Sequence, residues 1–77
     1  MKQATANVVI HFPGTPDEQR LGEAQRAMRT LEGVTRVVAS PRLRGLVLVD
    51  YDPGAISAQT ILAGAARGGL AGRLVGL

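Results

Sequence analysis

The sequence predicts an α+β sandwich of the ferredoxin-like type, with a four-stranded antiparallel sheet and two helices on one face. Three observations predict it. Short β-branched, apolar blocks at 7–12, 34–39 and 46–51 read as strands. Two stretches, 16–32 and 58–67, carry apolar residues at helical spacing. The turn between the second and third blocks is short enough to demand an antiparallel hairpin, and the order β-α-β-β-α-β with right-handed crossovers then closes a single sheet.

Each element has its own signals. Residues 7–12, NVVIHF, form a strand that Pro13 and Gly14 stop. Thr15, Pro16 and Glu18 read as N-cap, first helical residue and capping-box partner of the first helix, with Asp17 and Glu18 suiting its dipole. Leu21, Ala24, Met28 and Leu31 make its buried stripe, and Gly33 is the expected C′ residue. Ser40 to Gly45 turns the hairpin, and Asp52-Pro53-Gly54 ends the third strand. Ser57 is the expected N-cap of the second helix, which buries Ile61, Leu62 and Ala65 and stops at Gly68-Gly69. Residues 72–77 read as a short last strand.

Composition narrows the function. Seventy-seven residues make one domain, 1–77. A chain this size buries only about 60% of its unfolded surface, which leaves no room for a cleft between domains. With no cysteine, disulfides, thiolate catalysis and sulfur-ligated metal are excluded. With one histidine, a multi-histidine site within one chain is excluded. The aromatics are Phe12 and Tyr51, both at strand positions of core parity, so a base-stacking platform is not expected. Arg36, Arg42 and Arg44 gather near the hairpin, but three charges give only weak, unspecific phosphate binding. No nucleophile-base pair, phosphate loop or paired carboxylates stand out, so no enzyme activity and no cofactor are expected. The run MKQATANVVIHF lacks the apolar stretch of a signal peptide, and the expected setting is soluble and cytoplasmic with no membrane contact.

Several motifs, in order and in register, resemble one family. Leu31-Glu32-Gly33-Val34 resembles the Leu-x-Gly-Val of heavy-metal-associated domains, the modules of soft-metal chaperones and metal-pumping ATPases. Val47-x-Val49-x-Tyr51-Asp52-Pro53 resembles that family's third strand, and Ile56-Ser57-x-x-x-Ile61 the start of its second helix. The resemblance implies the same βαββαβ fold and a metal loop, Gly-Met-x-Cys-x-x-Cys, entering the first helix. Here the loop matches at Gly14. Thr15 stands at the Met position, and Asp17 and Arg20 stand at the two Cys positions. Two-coordinate Cu(I) and tetrahedral Zn are therefore unavailable on this loop, and Arg20 adds a fixed positive charge there.

The remaining candidates are weaker. His11, Asp17 and Glu18 are the weak candidates for a harder metal ion, although His11 and Val9 are expected on the open sheet face, away from the helices. Leu46 and Leu48 alternate with Val47 and Val49, so one apolar pair must face outward, where Val9 and Val38 or Leu74 can join it. A large apolar patch of that kind marks an interaction surface, covered at the sheet face or edge by a second copy of this chain, as a homodimer, or by a larger protein. Arg20, Arg26 and Arg29 on the first helix and Arg42 and Arg44 on the hairpin are candidate docking residues for an acidic protein partner. The expected function is a non-catalytic docking module on the heavy-metal-associated scaffold. The alternatives are a handler of a harder metal ion, through His11, carboxylates or a second chain, and a regulatory small-molecule module resembling ACT domains.

Overall fold

The computed structural model describes residues 5–14 and 16–75. Its elements run β1 (Ala6–His11), α1 (Glu18–Arg29), β2 (Val34–Ala39), β3 (Leu46–Tyr51), α2 (Ala58–Arg67) and β4 (Arg73–Val75). The strands form one antiparallel sheet in the order β2-β3-β1-β4. This is the ferredoxin-like arrangement that the order of elements predicts.

The sheet separates its two faces by simple alternation. Ile10, Phe12, Val37, Val47 and Val49 point to one side and are buried with Met28 of α1 and Ile61 and Ala65 of α2. The opposite parity leaves the other face open. Across it the register aligns Val38 with Leu48, Leu48 with Val9, and Val9 with Val75. One apolar row therefore crosses all four strands on the uncovered side. Leu48 and Val75 are 39% and 38% exposed, as expected of a face that no helix covers.

Several boundaries depart from the sequence expectation. The expected cap, Thr15, lies outside the described residues. The helix begins at Glu18, and Asp17 is its N-cap, with its carboxylate accepting from the Arg20 N–H at 2.8 Å. The Thr15–Glu18 capping box is thus replaced by a cap two residues later. An aspartate side chain reaches the third following amide directly and needs no reciprocal partner.

The far end of α1 also falls short of residue 32. Thr30 is its C-cap, bonding Arg26 O through its amide and Ala27 O through its hydroxyl. Gly33 consequently serves the turn into β2 rather than the helix end. Its φ of +99° and the approach of Ile56 Cγ2, 2.8 Å from where a Cβ would sit, both require glycine.

The first strand ends one residue early, but Phe12 still donates to Gly45 O at 2.7 Å and so prolongs its ladder with β3. The last strand is described over 73–75, and the remainder of the expected 72–77 strand includes residues outside the described set. Leu74, one option for the open face, pairs with Ile10 and packs against the core; Val75 takes the outward place. Among the described residues no helix is long and apolar enough to cross a membrane.

Candidate functional site

The loop between β1 and α1 is held at both ends. Upstream, the Phe12 amide is bonded to the hairpin at Gly45, and Pro16 is buried nearby. Downstream, Asp17 and Arg20 are joined by the cap bond. These are the two residues that the motif resemblance sets at the Cys positions of heavy-metal-associated domains. Here one side chain and the other's backbone amide satisfy each other across one helical turn. The Asp17 carboxylate is committed to helix capping, and the Arg20 guanidinium is exposed. Among the described residues no group of three or more His, Asp or Glu side chains comes together. The loop therefore does not suit a soft metal ion: it lacks sulfur, its carboxylate is engaged, and a fixed cation stands beside it.

His11 is half-buried on the open sheet face, paired with Leu46 on β3 and Arg73 on β4. The sheet separates it from Asp17 and Glu18 in the helix layer. The weak metal candidates are thus not gathered into one site. Val9, His11, Leu46 and Leu48 do share the open face. Val9, Leu46 and Leu48 line a shallow apolar depression with Val38 and Pro41.

The five arginines proposed for docking are all exposed, but they lie on different sides. Helical spacing turns Arg20 toward α2, where it lines a depression with Asp17, Glu23 and Gly68. Arg26 is exposed on α1. Arg29 stands over β2, donating to Val37 O at 3.0 Å and to Gln25 Oε1 at 3.3 Å. Arg42 and Arg44 sit on the hairpin tip, whose turn is held by Ser40 Oγ accepting from the Arg42 and Leu43 amides. Between the hairpin and α1 runs a groove of about 440 Å³, lined by Leu21, Gln25, Ala39, Arg42 and Arg44 among others. Among the described residues no arginine is paired with a carboxylate.

Arg36, read from the sequence with Arg42 and Arg44 as part of the basic group near the hairpin, lines a second depression with Arg29, Val34, Thr35 and Val37. One participant escaped sequence reasoning. Gln25 anchors the Arg29 guanidinium, and its four-residue spacing from Arg29 was the available signal.

No protein-family model matches the chain, and comparison with curated proteins finds no match. Solved structures do match. MerP from Ralstonia metallidurans superposes with a TM-score of 0.82 at 22% identity, over 92% of this chain and 97% of that one. A putative copper-ion-binding protein from Bacillus anthracis gives 0.80 at 18% identity, over 94% and 100%. The N-terminal domain of a potential copper-translocating P-type ATPase from Bacillus subtilis gives 0.80 at 18% identity, over 92% and 88%. The chain has the heavy-metal-associated fold of these neighbours, and it carries that fold without a cysteine.

Proposed function

We propose that this chain is a non-catalytic protein-docking module on the heavy-metal-associated scaffold, with no soft-metal site of its own. The observation that carries this reading is the Asp17–Arg20 cap. The Arg20 amide donates to the Asp17 carboxylate and closes the start of α1, and these are the residues that the resemblance sets at the two Cys positions. What the scaffold still offers is a sheet with an uncovered face and a set of exposed arginines that, among the described residues, no carboxylate neutralises. Exposed charges of this kind speed and orient the encounter with an acidic partner.

The test is an amide NMR titration of the labelled chain with Cu(I) and then Zn(II). The expected result is no saturable shift at Gly14, Asp17, Arg20 or His11. An Asp17→Cys/Arg20→Cys double variant serves as the positive control and is expected to bind Cu(I) reversibly. Saturable, chelator-reversible shifts in the unaltered chain would return it to metal handling.

A further inference from the structure

β2 is an outer strand of the sheet, so its far side carries backbone groups with no strand to bond. The pattern on that side follows from two hydrogen bonds. Ser40 donates its amide to Leu46 O, inward toward β3, at 2.8 Å. Val37 O accepts from the Arg29 side chain, outward. Because successive residues alternate, the peptide groups of Val37 and Ala39 address the outer edge. The two depressions over β2 lie along this edge, on either side of the Arg29 contact. Arg29 thus holds a place that a pairing strand's amide would take.

The two sides of that edge differ in chemistry. On the helix side stand Arg29, Arg42 and Arg44, with Glu18 the carboxylate that shares the groove of the latter two. On the open side the edge carries Arg36 and, next to it, the apolar row of Val38, Leu48 and Val9. A strand laid beside β2 would alternate its side chains between these two environments.

We propose that the outer edge of β2 takes up an extended segment of a partner protein in which acidic and apolar residues alternate. The acidic side chains meet the arginines on the helix side, and the apolar ones lengthen the row on the open face. Arg29 moves from Val37 O to a partner carboxylate, and the partner's amide takes over the carbonyl. The proposal rests on the docking reading and gives it a partner of stated chemistry. A nucleic acid fits less well. It could use the arginines but has no use for an unpaired strand edge, and with Phe12 buried and Tyr51 packed half-buried against the core, the two aromatics make no stacking platform on the open face.

The test titrates the labelled full chain with three probes: a peptide of alternating Glu and Val, a peptide of alternating Glu and Pro, and oligo(dT). The Glu-Pro peptide matches the charge but cannot complete a strand ladder. The expected result is saturable binding of the Glu-Val peptide, about tenfold tighter than the Glu-Pro peptide, since strand addition derives affinity from main-chain hydrogen bonds. The Val37 and Ala39 amides shift and gain protection from hydrogen exchange. The Val38 and Ser40 amides, already turned toward β3, do not gain protection. The Arg42→Glu/Arg44→Glu variant, altered only at the exposed tip, keeps its spectrum and loses binding.

Equal binding of the two peptides without protection at Val37 and Ala39 overturns strand addition and leaves docking by charge standing. No binding of either peptide overturns both. Oligo(dT) binding more tightly than the Glu-Val peptide overturns the choice of a protein partner.

Discussion

Asp17 illustrates how one side chain can close a loop. Its carboxylate holds the Arg20 amide at 2.8 Å, so the start of α1 is satisfied from within the chain. Replacing it with alanine leaves that amide to solvent and removes a favourable charge from the positive end of the helix dipole. Asp17→Ala is expected to cost about 0.5–2 kcal/mol in urea unfolding, while Asp17→Asn, which keeps the accepting oxygen, costs less. Ser57 plays the same part in α2, accepting from Thr60 N at 3.1 Å, and this cap was legible from the sequence. The cap of α1 is Asp17 and not the expected Thr15, because Thr15 and Asp17 on either side of Pro16 give the sequence two plausible helix starts. Local propensity does not choose between them. The choice depends on where the chain leaves β1, and burial of Pro16 fixes that.

At the scale of the element, the alternation of the strands decides which side chains the core takes and which the open face keeps. Val47 and Val49 are fully buried, whereas Leu48 between them is 39% exposed. The two kinds of position predict opposite responses to the same polar residue. Leu48→Thr is expected to change stability by no more than about 0.5 kcal/mol, as at a surface site. Val49→Thr places a hydroxyl among Ile10, Met28 and Ile61 and is expected to cost about 1–3 kcal/mol. Chemical denaturation of both variants checks the assignment of faces. Equal losses would mean that the open face is covered in solution, in keeping with a homodimer through the sheet, and sedimentation of the Leu46→Thr/Leu48→Thr variant would then show the change in mass. The sequence alone showed that one of the two apolar pairs must face outward. It did not show which, because β3 is apolar on both sides and only the placement of the helices breaks the tie.

The whole molecule has little core to lose. Its largest fully buried side chains are Phe12, Ile10, Met28, Ile61, Val47 and Val49. Met28→Ala empties space between α1 and the sheet and is expected to cost about 2–5 kcal/mol, a large share of the stability of a domain this small. In a thermal scan each kcal/mol lost lowers Tm by about 4–8 °C for a chain of this length. The charge of the whole molecule is also unevenly placed. Arg29, Arg36, Arg42 and Arg44 flank one edge of the sheet, while Arg20 lies on the α2 side of α1 and Arg73 on β4. A net charge of +3 therefore understates the field along β2.

The sequence by itself determined the order and type of all six elements, the parity of the buried residues in β1 and the absence of thiolate chemistry. These follow from local periodicity, turn residues and composition, which need no knowledge of neighbours. It brought the reading as far as a resemblance in fold and a list of exposed arginines. Only the tertiary structure decided which arginines stand together. It placed Arg29 over Val37 O, turned Arg20 away and aligned Val38, Leu48, Val9 and Val75 across four strands. Residues distant in the chain become neighbours only through strand register and helix packing. Register is a cooperative property of the assembled sheet, and no single segment encodes it.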